Sequence, residues 1–409
     1  MTYLLQYNPP KNNPEIIIPG SKSESNRLLI LKAIYPAITI ENLSNSDDTL
    51  SLEKGIKETN GTVDVHHAGT AMRFLTAYFA SKKGVEITLT GSKRMQERPI
   101  EILVDALLEL GADISYLKEV GFPPIRIIGK KLTNNKVSLN ANISSQYISA
   151  LMLIAPSLQN GLHINLVGEI TSSPYIKMTL KLLQKIGVNG IFENNKIEIK
   201  PLKNSQPSTI CVESDWSSAS YFYSIVALSE KMKIKLSNYS KESLQGDSEV
   251  VSIYKELGVD TIFNKKDNSI EIVKNKKVLP STIYFNLNKT PDIAQTIAVT
   301  CLGLRINCKL EGLKTLKIKE TDRLVALKTE IEKLGAKVLI TNSSIAVFSS
   351  EKINKNIVID TYQDHRMAMA FAPLALVSPV AINNPEVVSK SYATFWKDLE
   401  KTGIFNQIK

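Results

Sequence analysis

Leu108-Glu109-Leu110-Gly111-Ala112-Asp113 reads as the last turn of an amphipathic helix, the glycine that ends it and the first residues of a strand. Glycine is the residue expected just past a helix end, where the chain turns left-handed. The same local order returns at Gln184-Lys185-Ile186-Gly187-Val188-Asn189, Lys255-Glu256-Leu257-Gly258-Val259-Asp260 and Glu332-Lys333-Leu334-Gly335-Ala336-Lys337. The four glycines are spaced by 76, 71 and 77 residues. Weaker copies end at Gly61 and Gly403, so the chain divides into six candidate units of about 68 residues. After Gly187, Ile191-Phe192-Glu193-Asn194-Asn195-Lys196-Ile197-Glu198-Ile199 alternates apolar residues around a polar turn, a hairpin signal. Thr261-Ile262-Phe263 and Ser269-Ile270-Glu271-Ile272-Val273 repeat it. Helix-glycine-strand junctions occur in any α/β protein. A near-constant period with the same local order points instead to duplication. Each unit is predicted to pack helices on a small mixed sheet, giving an α/β (α+β) protein. The first unit departs: between Asp48 and Ala68 there is room for a helix and one strand but no hairpin, so one trimmed sheet is expected.

The 409 residues are 43% apolar and 22% charged, the balance of a globular protein of two or three domains. A disordered chain, a collagen and a disulfide scaffold are excluded. The longest apolar run, Met367 to Val377, has 11 residues, too few to cross a bilayer. The start, MTYLLQYNPPKNNPE, lacks the basic and apolar regions of a signal peptide, so a cytoplasmic protein without membrane partners is expected. Three cysteines, Cys211, Cys301 and Cys308, are too few for a disulfide framework. His66, His67, His163 and His365 show no metal-ligand spacing, and no metal site is expected. The net charge of +10, from 50 basic and 40 acidic residues, fits nucleic acid, anionic small substrates or a lysine-rich surface. Turn-like stretches such as Lys265-Lys266-Asp267-Asn268 and Lys274-Asn275-Lys276-Lys277 favour the last. No aromatic-rich basic stripe appears, and no nucleic-acid partner is expected.

The arginines lie elsewhere, beside helix starts. Gly20-Ser21-Lys22-Ser23-Glu24-Ser25-Asn26-Arg27 precedes the apolar run Leu28-Leu29-Ile30-Leu31, with Ser23 as a candidate cap. Ala68-Gly69-Thr70-Ala71-Met72-Arg73 opens another helix, with Thr70 as candidate cap and Gly69 allowing close approach of a ligand. Ser144-Ser145-Gln146, Ser172-Ser173-Pro174-Tyr175, Lys319-Glu320-Thr321-Asp322-Arg323 and Asp364-His365-Arg366 open four more. Helix N-termini present free N–H groups and a partial positive charge, which attract phosphate and carboxylate. For any single cluster, capping is the simpler account. It does not explain Lys or Arg at several of the starts. Arg98, in Arg94-Met95-Gln96-Glu97-Arg98-Pro99-Ile100, belongs to the same class, although a surface ion pair with Glu97 is the plain alternative there.

Nine segments, in order from residue 19 to residue 392, resemble the enolpyruvyl transferase family, in the branch acting on shikimate 3-phosphate. They are Pro19-Gly20-Ser21-Lys22-Ser23, Ala68-Gly69-Thr70-Ala71-Met72-Arg73, Arg94 to Ile100, Ser144-Ser145-Gln146, Ser172-Ser173-Pro174-Tyr175, Thr290-Pro291-Asp292-Ile293-Ala294, Lys319 to Arg323, Asp364 to Met369 and Ser389-Lys390-Ser391-Tyr392. The resemblance implies a two-domain inside-out α/β barrel of six βαβαββ-like repeats. The first domain would be 20–214 and the second 1–19 plus 215–409, with the active site in the cleft between them. It implies transfer of the enolpyruvyl group of phosphoenolpyruvate to the 5-hydroxyl of shikimate 3-phosphate, without metal or organic cofactor, in a monomer. By resemblance, Ser23, Arg27, Ser144, Ser145, Ser172 and Tyr175 hold shikimate 3-phosphate. Gly69, Arg98, Arg323, Arg366 and Lys390 hold phosphoenolpyruvate, with Lys22 and Gln146 between the two. Asp292 matches the family's proton acceptor and Glu320 the acid/base at carbon 3, with Lys22 and Lys319 stabilising developing charge. A helix-start carboxylate paired with Arg323 is the plain alternative for Glu320.

Three positions depart from the family pattern: His67 and Thr315 stand where many relatives carry Asn, and Phe74 where many carry Pro. Glyphosate occupies the phosphoenolpyruvate site in the family, and inhibition is expected because Gly69 places nothing beyond Cα there. The sister branch acting on UDP-N-acetylglucosamine typically carries a reactive Cys in its first domain, and no Cys precedes residue 211 here. A nucleic-acid-processing relative and a non-catalytic anion-binding relative are the other readings.

Overall fold

The structure is a computed structural model describing residues 1–140, 144–168, 170, 173–275 and 278–408. The chain forms two compact units: an inserted unit, Gly20–Val212, and a terminal unit of Met1–Pro19 with Glu213–Lys409. The first crossing lies between Pro19 and Gly20. The second falls two residues before the expected 214/215 boundary.

Five four-stranded sheets and one two-stranded sheet are present among the described residues. In the inserted unit, one sheet runs Asn60–Asp64, Glu86–Thr90, Ile125–Ile128, Asp113–Tyr116. Its first pair is parallel and the other pairs are antiparallel. The helix Gly69–Ser81 makes the parallel crossover that such a pair requires. A second sheet repeats the plan with Lys136–Asn140, Leu162–Val167, Lys196–Ile199 and Gly190–Glu193. The first repeat is trimmed as expected: Ile38–Glu41 pairs only with Ser208–Cys211, in parallel. The last strand of the insertion thus returns to its first.

The terminal unit closes in the same way. Thr2–Tyr7 lies between Val380–Asn383 and Ile404–Ile408, antiparallel to both. Glu15–Ile16 adds in parallel to Lys233–Ser237, joining chain from before the insertion to chain from after it. The third sheet orders Thr282–Asn286, Asn307–Glu311, Ile345–Phe348, Lys337–Ile340. All six unit-ending glycines, Gly61, Gly111, Gly187, Gly258, Gly335 and Gly403, have φ between +82° and +97°, a conformation other residues rarely adopt.

Helices lie inside and sheets outside. Each unit has three inner helices: Lys22–Ile34, Gly69–Ser81 and Ser145–Ile154 in the inserted unit, and Trp216–Leu228, Ala294–Leu304 and His365–Phe371 in the terminal unit. Every residue from Gly69 to Ala80 and from Trp216 to Ala227 is buried. Helices apolar on all sides belong in an interior. Outer helices carry a single buried stripe, as in Ser173–Lys185 with Ile176, Thr179, Leu182 and Leu183. The inner helices pack on one another within each unit, Ser145–Ile154 against Gly69–Ser81 and Ala294–Leu304 against both its partners. Four of the polar clusters quoted above open or precede inner helices, at Lys22, Gly69, Ser145 and His365, and two open the outer helices Ser173–Lys185 and Arg323–Lys333.

Candidate active site

In the inserted unit, Lys22 and Ser23 are the first two residues of their helix and are half-buried. The cap position is Ser21 rather than Ser23, and its side chain makes no capping bond. Arg27 is buried, with Nε donating to Thr179 Oγ1 at 2.7 Å, Nη2 to Ser149 Oγ at 2.9 Å and Nη1 to the Ser23 carbonyl at 2.7 Å. Phe74 and Tyr175 rings lie 5.4 and 5.7 Å from its guanidinium carbon. Burial pushes the Arg27 pKa down to about 10, so it stays charged at neutral pH. Ser144 caps the helix Ser145–Ile154 by accepting from Gln146 N–H at 3.3 Å, and Ser145 is its buried first residue. Gln146 Nε2 donates to Thr70 Oγ1 at 3.2 Å, which joins two helix starts. Ser172 lies outside the described residues.

The start of Gly69–Ser81 differs from the sequence expectation. Ala68, not Thr70, holds the cap position, and the acceptor comes from a distant residue. Asp48 accepts from the N–H groups of Thr70 and Ala71 at 3.3 and 3.2 Å and from Asn26 Nδ2 at 2.8 Å. A carboxylate is the best partner for free N–H groups at a helix start. Arg98 approaches so closely that a Cβ on Gly69 would lie 2.6 Å from its Nη1. Its Nε is buried without a hydrogen-bond partner among the described residues. Arg73 donates to the Pro99 carbonyl at 2.9 Å, and burial, then Arg98 beside it, pushes its pKa down to about 10. Two adjacent cations, Arg73 buried and Arg98 half-buried, mark a place for an anion. Of the departures, His67 Nε2 lies 3.6 Å from Asp47 and Phe74 lies under Arg27. Thr315 Oγ1 is buried without a partner among the described residues.

In the terminal unit the cluster centres on Arg323, which is 2% exposed. Its Nε donates to Asp364 Oδ2 at 2.7 Å, Nη1 to Asp292 Oδ1 at 3.1 Å and Nη2 to Glu320 Oε2 at 2.8 Å. Burial works against its charge; Asp364, Glu320 and Asp292 outweigh it and hold the guanidinium above its ordinary range. Arg366 Nη2 lies 3.3 Å from the other Asp292 oxygen and donates to Ser217 Oγ at 3.2 Å. Lys319 Nζ is 3.5 Å from Asp292, and burial pushes its ammonium pKa down against that pull. Lys390 donates to the Gln363 carbonyl at 2.6 Å. Asp247 is a buried carboxyl that accepts from Thr290 Oγ1 at 2.5 Å. Burial, then the Asp292 charge, pushes its pKa up to about 7.

The family model described as EPSP synthase (3-phosphoshikimate 1-carboxyvinyltransferase) matches residues 54–399. The chain belongs to the EPSP synthase family. A 3-phosphoshikimate 1-carboxyvinyltransferase of Bacteroides fragilis is 46% identical over 409 residues, covering 98% of each chain. One from Marinomonas sp. is 38% identical, covering 95% of this chain and 96% of the relative. The solved EPSP synthase of Acinetobacter baumannii superposes with a TM-score of 0.80 at 20% identity, covering 100% of this chain and 99% of that one, a likeness of fold.

The family motifs therefore gather into one cluster per unit. Asp292, Lys319, Glu320, Arg323 and Arg366 surround one another, and Lys390 joins them through the 363 carbonyl. Arg27 donates to three partners inside the unit, whereas Arg98 Nε has none among the described residues. Sequence reasoning passed over Asp48, Arg73 and Asp247. Asp48 carried a signal, since Ser46-Asp47-Asp48-Thr49 opens a helix, but its role at a second helix 22 residues on is a tertiary fact. Asp247 lies in Gln245-Gly246-Asp247-Ser248, which has no local mark of burial beside Asp292.

Proposed function

We infer that the protein transfers the enolpyruvyl group of phosphoenolpyruvate to the 5-hydroxyl of shikimate 3-phosphate, giving 5-enolpyruvylshikimate 3-phosphate and phosphate. The observation that carries this is the grip of Arg323 on both Asp292 and Glu320, two carboxylates at fixed positions among Lys319 and Arg366. Family membership over nearly the whole chain supplies the substrates.

In this reading the 5-hydroxyl oxygen attacks carbon 2 while its proton passes to Asp292. Glu320 delivers a proton to carbon 3, completing the addition. The carbon 2–phosphate bond then breaks, and Glu320 takes a proton back from carbon 3. Two carboxylates in one cationic setting serve as base and acid. Lys22 and Lys319 stabilise charge that develops on oxygen. Ser23, Arg27, Ser144, Ser145, Gln146, Ser172 and Tyr175 are assigned to shikimate 3-phosphate, together with Asp292 and Lys319. Lys22, Gly69, Arg98, Gln146, Arg323, Arg366 and Lys390 are assigned to phosphoenolpyruvate. The reading requires residues of both units to act on one pair of substrates, which between them carry two phosphates and two carboxylates. Arginine forks suit those groups. Glyphosate is proposed to compete for the phosphoenolpyruvate residues, and the enzyme is proposed to work as a cytoplasmic monomer.

The test is phosphate release by purified protein with both substrates, each omitted in turn. Release that requires both establishes the transferase. Binding of both without release would leave an anion-binding relative. A glyphosate titration, expected to raise the KM for phosphoenolpyruvate alone, tests the inhibitor assignment.

A further inference from the structure

Arg323 and Glu330 lie seven residues apart on the outer helix Arg323–Lys333, about 10 Å along its axis and on one face. The segment from Asp360 to Asp364 is bonded to both points. Glu330 is fully buried. Its Oε1 accepts from the Tyr362 hydroxyl at 2.6 Å, and its Oε2 accepts from the Asp360 N–H at 3.1 Å and Lys333 Nζ at 2.8 Å. Lys333 also reaches Asp360 Oδ2 at 2.8 Å. At the other end, Asp364 accepts two hydrogen bonds from Arg323 and one from the Arg366 N–H.

Between these anchors, Tyr362 and Gln363 have φ of +52° and +55°. Two consecutive non-glycine residues in the left-handed region are costly and persist only where their surroundings hold them. The Gln363 carbonyl faces Lys390 as a result of this turn.

We propose that Glu330 and Tyr362 are positioning residues whose hydrogen bond, made to the buried Glu330 carboxylate, holds the left-handed turn at 362–363, placing Asp364 on Arg323 and the Gln363 carbonyl on Lys390. This rests on the assignment of Arg323 and Lys390 to phosphoenolpyruvate. Neither Glu330 nor Tyr362 is assigned to a substrate. A guanidinium fork recognises phosphate or carboxylate only in a narrow geometry, so a turn that relaxes loosens the fork before it unfolds the protein.

The test compares Tyr362→Phe, Glu330→Gln and Glu330→Ala with wild type, each checked for a native thermal transition. Tyr362→Phe is expected to raise the KM for phosphoenolpyruvate roughly tenfold, with the KM for shikimate 3-phosphate unchanged and kcat changing less. Glu330→Gln keeps an acceptor for the hydroxyl but sets an amide N–H2 against the Asp360 N–H and Lys333. It is expected to raise the KM for phosphoenolpyruvate less than Tyr362→Phe does, and a larger rise than in Tyr362→Phe overturns the proposal. Glu330→Ala should match Tyr362→Phe, and where it fails to fold, Tyr362→Phe decides. A Tyr362→Phe enzyme with a wild-type KM for phosphoenolpyruvate, or with only kcat reduced, overturns the proposal. Hydrogen exchange at Arg323 Nε, followed by NMR, reads the same geometry without turnover. Faster exchange in Tyr362→Phe is expected, and unchanged exchange overturns the proposal. Absence of turnover in wild type would instead defeat the functional reading, and the exchange measurement would still decide the positioning.

Discussion

One guanidinium, that of Arg323, makes four hydrogen bonds to three carboxylates. Two of those carboxylates are the proposed proton carriers, so their separation is set by a side chain that cannot lose its charge. Glu320→Gln keeps the shape and an acceptor for Arg323 while removing the titrating group. Turnover is expected to fall by about 10²–10⁴, the range for a general acid or base. Calorimetry should find both substrates still bound. Near-normal turnover would return Glu320 to a purely structural pairing. At Gly69 the argument is steric. An added Cβ would meet Arg98 Nη1 at 2.6 Å, and the guanidinium, as the far end of a flexible chain, must move. Gly69→Ala is expected to raise the KM for phosphoenolpyruvate while leaving the thermal midpoint nearly unchanged, because displacing an arginine tip disturbs no core. Equal KM values in steady-state kinetics would remove Gly69 from that pocket.

At the scale of elements, the inner helices are buried over most of their length, and their first turns are where side chains from outside the helix cap them. That is where Asp48, Ser144, Asp215 and Asp364 supply acceptors, as Asp322 does for the outer helix Arg323–Lys333. Asp247 lies outside these helices, in the short turn Gly246–Glu249. Its folded pKa of about 7 lies above the ordinary 3.8, because burial and the charge on Asp292 disfavour ionisation. A raised carboxyl pKa contributes stability that is complete below the unfolded value and is lost as pH rises through the folded one. Stability should therefore decline between about pH 4 and pH 7 through this group. Asp247→Asn keeps an acceptor for Thr290 and should flatten that decline. Thermal midpoints measured across this interval check it, and an unchanged slope would assign the decline to other groups.

Over the whole molecule, the insertion is organised around its own ends. Gly20 packs so tightly against the Asn42 carbonyl that any Cβ would collide with it, and the same Cβ would lie 2.9 Å from Val212 at the far end of the unit. With Ser208–Cys211 paired to Ile38–Glu41, the unit meets the usual requirement for independent folding, a core and adjacent termini. The fragment 20–212 is expected to fold alone, with a cooperative thermal transition in circular dichroism; a fragment without one would show that the unit is not self-sufficient. Much of this plan was legible in the chain, because glycines at helix ends, alternating strands and capped helix starts are signals within a few residues of one another. Those signals determined six units, the trimmed first sheet and the helix starts that carry Lys22, Arg98, Glu320 and Arg366. Tertiary structure alone decided that Asp48 serves the helix at Gly69, that Asp247 is buried beside Asp292, and that Glu330 reaches Tyr362 across 32 residues. A charge finds its partner by proximity in space, and local sequence holds no record of which distant carboxylate folding will bring to it.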